Sequence, residues 1–90
     1  MEKQRKLELV KQFTEILNEV KQAWIEEVIA DGEEVVFDDF KLHIKAWIKS
    51  YLEDVDFTEE EQEDFNPNGT VRGDLQMIVE IVLGQIWLEW

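Results

Sequence analysis

Apolar residues recur every three or four positions along two stretches of the chain, and this spacing is typical of amphipathic helices. The first stretch predicts a helix over residues 4–30, which ends at Asp31-Gly32 because glycine favours the left-handed conformation that caps a helix. The second predicts a helix over residues 39–53, with Asp38 as its N-cap. Their apolar positions are Leu7, Val10, Phe13, Leu17, Val20, Trp24 and Val28 in the first helix, and Phe40, Ile44, Trp47, Ile48, Tyr51 and Leu52 in the second.

The C-terminal stretch predicts a third main helix, over residues 71–89, whose apolar residues lie around most of its circumference. A helix of this kind is buried, so we expect it to lie centrally between the first two, with Gly84 permitting a close approach. Alternatively, a second subunit covers part of its apolar surface. The oligomer face would then comprise Met77, Ile81, Gly84 and Leu88.

A short acidic helix is predicted between the second and third main helices. Thr58 and Glu61 have the spacing of a capping box, which predicts a helix over residues 59–65, and Phe65 is expected to anchor it to the core. The residues 66–69 have the composition of a turn, and Thr70 is expected to cap the last helix. The predicted fold is therefore all-α: a compact bundle of three main helices and one short helix, forming a single domain over residues 1–90.

The chain is strongly acidic, with 22 Asp and Glu residues against 9 Lys and Arg and a net charge of −13. Such a surface repels nucleic acid and anionic lipid and attracts basic protein surfaces. We therefore expect a protein partner with a basic surface, and neither direct nucleic-acid binding nor membrane binding. The N-terminus lacks the apolar run of a secretory signal, and residues 75–90 are too short and too charged for a membrane span, which predicts a cytoplasmic protein.

Two runs of acidic residues without a basic residue concentrate this charge. We call the first run the corner patch, and it is the predicted partner-binding surface: Glu26, Glu27, Asp31, Glu33, Glu34, Asp38 and Asp39. The second acidic patch is the secondary candidate: Glu53, Asp54, Asp56, Glu59, Glu60, Glu63 and Asp64, in a run that also contains Glu61. The second helix is about half as long as the first, so it should leave the second patch beside the basic N-terminal part of the first helix. Its expected neutralising residues are Lys3, Arg5, Lys6 and Lys11.

Candidate catalytic and metal-binding residues are few, because the chain has one His, one Ser and no Cys. His43 and Ser50 lie seven positions apart on one helix, about 10 Å along its axis, which is too far for activation of the serine. Asp39 and His43 supply only half of a tetrahedral metal site, and a run starting at Asp54 lacks the glycine and glutamate of a calcium-binding EF-hand loop. We predict no enzyme activity, no catalytic residue, no cofactor and no metal, with weak divalent-cation binding by the carboxylates as an alternative.

These observations predict a non-enzymatic binding module, an inhibitor or adaptor that docks a basic surface of a partner protein. Mimicry of DNA is a finer hypothesis, because the 22 carboxylates along a body of about 40 Å give about one per 2 Å, near the charge density of duplex DNA. In size and charge the chain resembles, as a broad class, phage-encoded inhibitors that block host nucleases or DNA-binding proteins. This resemblance rests on no motif and assigns no residue. The alternative is that the chain is a self-assembling structural or interaction protein. It would then oligomerise, for example as a homodimer, through its apolar C-terminal helix.

Overall fold

Four helices and no β-strand make up the computed structural model, which describes residues 1–90. The helices are α1 (Lys3–Ala30), α2 (Phe37–Tyr51), α3 (Glu59–Gln62) and α4 (Gly73–Leu88). The predicted all-α fold of three main helices and one short acidic helix is thereby confirmed, with bounds that differ by no more than three residues. None of the four helices combines the length and the apolarity that crossing a membrane requires.

α2 begins two residues earlier than predicted. Its N-cap is Val36, in an extended conformation, and Asp38 and Asp39 lie within the first turn, where carboxylates interact favourably with the positive end of the helix dipole. The prediction that Asp38 caps the helix was therefore wrong. Phe37 is drawn into the first turn because its ring packs on Trp87, at a centroid distance of 5.0 Å.

α4 begins at Gly73, two residues later than predicted, because the preceding chain is held in an extended conformation. Val71 forms an antiparallel bridge with Phe65, and the carbonyl oxygen of Thr70 accepts a hydrogen bond from the Asn66 amide at 2.8 Å. The Thr70 hydroxyl is used within the turn, where it donates to Asn68 Oδ1 at 2.7 Å. Arg72 is the N-cap, so the predicted capping role of Thr70 was wrong.

Thirteen buried apolar residues form one core between the three main helices: Leu9, Phe13 and Leu17 of α1; Phe40, Ile44 and Ile48 of α2; Leu52; and Leu75, Ile78, Val79, Val82, Leu83 and Ile86 of α4. Burial of each stabilises the fold by about 1.5–3 kcal/mol as an upper estimate. Two predicted core positions, Leu7 and Trp47, are exposed instead. Trp47 is turned out of the apolar face where its non-helical backbone angles interrupt α2.

The main helices are arranged as a triangle. α1 packs against both α4 and α2, and α2 meets α4 through side chains, including the Lys45–Glu80 ion pair at 2.6 Å. The predicted central position of α4 between the other two helices was therefore wrong, because α1 is the helix whose backbone approaches both others, and α4 keeps an outer face. Gly84 lies on that outer face, with nothing within 4 Å of an added Cβ, so its predicted role in a close approach within the chain was wrong.

Candidate functional site

The corner patch lies where α1 turns into α2. Glu26 and Glu27 stand on the last two turns of α1, Asp31 caps it, and the remaining members follow in the loop and the first turn of α2. All seven residues are exposed. None of them takes part in any of the five ion pairs of the structure. The charge of this patch is therefore open to solvent and uncompensated within the chain.

Backbone hydrogen bonds hold the corner in one conformation. The Glu33 amide donates to the Val28 carbonyl and the Gly32 amide donates to the Ile29 carbonyl, each at 3.0 Å. Together with the positive φ of Gly32, +73°, these bonds form a Schellman motif, which satisfies the last free carbonyls of α1. The acidic residues of the loop therefore follow a helix end that these hydrogen bonds hold in one backbone conformation.

An aromatic cluster lies at the same end of the bundle and borders the corner patch. We call it the aromatic end, and it consists of Trp24, Phe37, Phe40, Trp87 and Trp90, whose rings contact one another at centroid distances of 5.0–6.5 Å. Trp87 and Trp90 are exposed, as are Ile29 and Val36 within the corner itself. Protein interfaces commonly combine an aromatic centre with a polar rim. The sequence prediction did not include this cluster, because its members come from three separate segments.

His43 and Tyr51 form the one polar pair beside the aromatic end. The His43 Nε2 and Tyr51 hydroxyl lie 2.6 Å apart, next to a cavity of about 160 Å³ lined also by Trp24 and Glu27. Burial raises the pKa of Tyr51, and the charge of Glu27 raises it further. The imidazole is thus engaged with a tyrosine of its own helix, and Ser50 is exposed. No group of three or more His, Asp or Glu side chains is placed so that it could hold a metal ion.

The second acidic patch surrounds α3 and is tied into the fold through Glu61. Arg5 donates from Nε to Glu61 Oε2 at 2.9 Å and from Nη2 to Glu61 Oε1 at 2.8 Å. Thr58 and Glu61 form the predicted capping box, and Phe65 packs against the core as expected. The bonds from Arg5 hold the pKa of Glu61 below its ordinary value even though burial opposes this shift. The predicted neutralisation of this run is confirmed for Arg5.

The other three expected neutralising residues do not pair with the second acidic patch. Lys6, one position and about 100° around the helix from Arg5, lies 3.9 Å from Asp74 of α4 instead. Lys3 and Lys11 form no ion pair.

Asp64 in the second acidic patch also has a structural role. Its carboxylate lies against the N-terminus of α4, where Oδ2 accepts a long hydrogen bond of 3.5 Å from the Leu75 amide. A Cβ on Gly73 would lie 2.9 Å from Asp64 Oδ1, and Gly73 has a φ of +60°. Arg72 donates to the backbone carbonyl of Glu63 at 2.8 and 3.1 Å. The remaining members Glu53, Asp54, Asp56, Glu59 and Glu60 are exposed, as is Glu63.

The outer face of α4 carries the predicted oligomer residues, which we call the α4 stripe: Met77, Ile81, Gly84 and Leu88. Met77, Ile81 and Leu88 are 50%, 42% and 85% exposed, and Gly84 is exposed between them. The fold therefore leaves this apolar stripe largely exposed on the outer face of α4.

Models of protein families, curated protein sequences and solved structures were compared with the chain, and no match was found in any of the three. The candidate function accordingly rests on the surfaces described above.

Proposed function

We propose that the protein is a non-enzymatic binding module, an inhibitor or adaptor that docks a basic surface of a partner protein through the corner patch. The observation that carries this proposal is the set of seven exposed carboxylates without an internal ion pair, held on one closed helix corner. Charge that served solubility alone would need no such concentration. Uncompensated carboxylates instead accelerate encounter with a basic surface and disfavour acidic competitors.

The aromatic end supports the same proposal because it supplies apolar area beside the carboxylates. Large aromatic side chains dominate the binding free energy of many interfaces, while surrounding charges set orientation and association rate. Trp87 is exposed and its ring is held 5.0 Å from that of Phe37. The proposed interface thus has Trp87 near its centre and the corner carboxylates along its rim.

A partner whose basic surface normally binds nucleic acid is the finer form of the proposal. The backbone extends 42 Å along its longest axis, so the 22 carboxylates average about one per 2 Å, close to the one charge per about 1.7 Å of duplex DNA. Every member of the corner patch is exposed and free of an internal ion pair, so the whole patch is available for such mimicry. Competition between the protein and duplex DNA for the same partner would distinguish DNA mimicry from other docking to a basic surface.

The test is a pull-down from a lysate of the source organism at low and high salt, with the eluted partner then measured for affinity. We expect the double reversal Glu33→Lys with Glu34→Lys to weaken binding at least tenfold, and added salt to weaken the wild-type complex steeply. The matched control is Glu15→Lys with Glu19→Lys. Both pairs are exposed and free of ion pairs, and both double variants change the net charge equally.

Two results would contradict the proposal. One is an affinity that does not change with salt. The other is an equal loss of affinity in the two double variants, since this would show that net charge matters and the corner does not. Trp87→Ala separates the aromatic contribution, because it should increase the dissociation rate without altering the salt dependence.

A further inference from the structure

We propose that a second copy of this chain covers the α4 stripe, giving a two-fold symmetric dimer in which the two α4 helices pack antiparallel. This inference is independent of the proposed function. The stripe residues stand at positions i, i+4, i+7 and i+11, so they follow one face of α4 over three turns. Met77, Ile81 and Leu88 are between 42% and 85% exposed, although the Lys6 ammonium lies 4.0 Å from the Met77 sulfur.

Gly84 has no role within the chain that explains a glycine in the middle of α4. Its φ is not positive and an added Cβ would meet nothing within 4 Å, yet glycine inside a helix is less favourable than alanine. A helix that packs across Gly84 from outside would use the missing side chain, because small residues let two helices approach closely. Gly84 therefore favours a helical occupant for the stripe.

The spacing of the stripe is complementary to itself in the antiparallel arrangement. With the two-fold axis between Val82 and Leu83, Ile81 faces Gly84 of the partner subunit, and Met77 faces Leu88 of the partner subunit. A branched side chain thus fills the gap above each glycine, as self-complementary two-fold interfaces require. A parallel pair would place glycine opposite glycine and leave a gap, so the large and small residues select the antiparallel pair.

The charges beside the stripe also favour a second copy over a basic partner. Asp74 and Glu80 flank the stripe on opposite sides of α4. Each is paired within the chain: Asp74 lies 3.9 Å from Lys6, and Glu80 lies 2.6 Å from Lys45. In a chain of net charge −13, this face presents compensated carboxylates along its flanks, so two copies can meet here with little local repulsion.

Sedimentation equilibrium of the full chain over a concentration series tests the dimer. We expect a monomer–dimer equilibrium that strengthens as NaCl rises from about 0.05 to 0.5 M, because salt screens the repulsion between two acidic chains. Docking to a basic partner should weaken over the same range, so the two proposals fail separately. A monomer at every concentration and salt level would overturn the dimer.

Charged substitutions locate the interface. Ile81→Glu and Leu88→Glu should each weaken dimerisation at least tenfold, whereas Leu42→Glu should leave it unchanged, since Leu42 is an exposed apolar residue on α2. Circular dichroism checks that each variant is folded. If Ile81→Glu does not fold, Leu88→Glu still tests the interface, because Leu88 is highly exposed in the monomer. Gly84→Leu should also weaken the dimer, although leucine favours the helix more than glycine does. A dimer that persists in all three variants contradicts this interface.

Disulfide crosslinking tests the antiparallel register, and it is unambiguous because the chain has no cysteine. A mixture of the Met77→Cys and Leu88→Cys variants should give a covalent heterodimer under oxidation. Either variant alone should not crosslink, since each new cysteine lies about 16 Å along the axis from its own symmetry mate. Crosslinking of Leu88→Cys alone would indicate a parallel pair and overturn the proposed arrangement.

Discussion

The two acidic patches are close in size and composition, but the fold uses them differently. The second acidic patch is joined to α1 by Arg5 and to α4 by Asp64 and Arg72. The corner patch has no such bond and keeps every carboxylate exposed. An acidic run can therefore be part of the framework or a free surface, and the difference depends on whether a base from another segment reaches it.

The largest expected effect comes from removing the carboxylate that joins the second patch to α1. Glu61→Ala should lower the free energy of unfolding by roughly 2–3 kcal/mol, because it removes both Arg5 hydrogen bonds to the carboxylate and the bond that the carboxylate accepts from the Thr58 amide. Glu34→Ala in the corner patch should change it by less than about 0.5 kcal/mol. Urea denaturation measures both, and equal losses would erase the distinction between the patches.

A second comparison concerns the two glycines that follow the patches. Gly73→Ala should cost about 2 kcal/mol, because it combines a positive φ with a contact to the Asp64 carboxylate. Gly32→Ala in the corner has a similar φ of +73° and open space around the added Cβ, so it should cost about 1 kcal/mol. Adding Asp64→Ala should reduce the cost of Gly73→Ala toward that of Gly32→Ala. If the cost of Gly73→Ala stays the same in the Asp64→Ala background, the contact with the Asp64 carboxylate does not contribute to that cost.

The pH dependence of stability should reveal the contribution of ionised Glu61. Hydrogen bonds from Arg5 lower its pKa from the ordinary 4.5, so ionised Glu61 stabilises the fold above that value. This contribution is lost as the pH falls through the lower pKa of the folded state. Between about pH 5 and pH 3 the wild type should therefore lose more stability than Glu61→Gln. If Glu61→Gln leaves the pH profile of stability unchanged, this assignment is wrong.

The smallest expected effect on stability belongs to the corner reversal used to test binding. Glu33→Lys with Glu34→Lys should shift the free energy of unfolding by no more than about 0.5 kcal/mol, because both side chains are exposed and unpaired. Thermal melts of this variant and of Glu15→Lys with Glu19→Lys should nearly coincide. A large loss in the corner variant alone would mean that the corner has a structural role like that of the second patch.

Local sequence signals predicted much of the backbone. The glycine after α1, the Thr58–Glu61 capping box and the apolar periodicity act between residues a few positions apart. The structure has the helix end, the capping box and the main helices that they predict, although Leu7 and Trp47 are exposed. Where local signals competed with distant contacts, the contacts prevailed. Asp38 was displaced as a cap because Phe37 packs on the distant Trp87. Thr70 was displaced by another local signal, since its hydroxyl donates to Asn68 within the same turn.

The candidate surfaces were predictable only in part for the same reason. Both acidic runs and the α4 stripe could be found from composition and spacing, and the stripe is indeed exposed. The aromatic end could not, since Trp24, Phe37 and Trp90 are far apart in sequence and no period links them. The prediction that Gly84 permits a close approach within the chain was wrong. Periodicity shows which residues share a face of a helix, but it does not show which faces the neighbouring helices cover.

By itself, then, the sequence determined the helices, their approximate bounds and an acidic surface, because these depend on side-chain spacing and charge count. It also predicted that the second acidic run lies beside the basic part of α1, but only the tertiary structure decided which base reaches that run. The bond between Arg5 and Glu61 joins residues 56 positions apart, and it pairs one carboxylate of the second run, whereas no base pairs with the corner patch. Which carboxylates are available to a partner is a property of the packed helices, since packing alone brings distant charges within hydrogen-bonding distance.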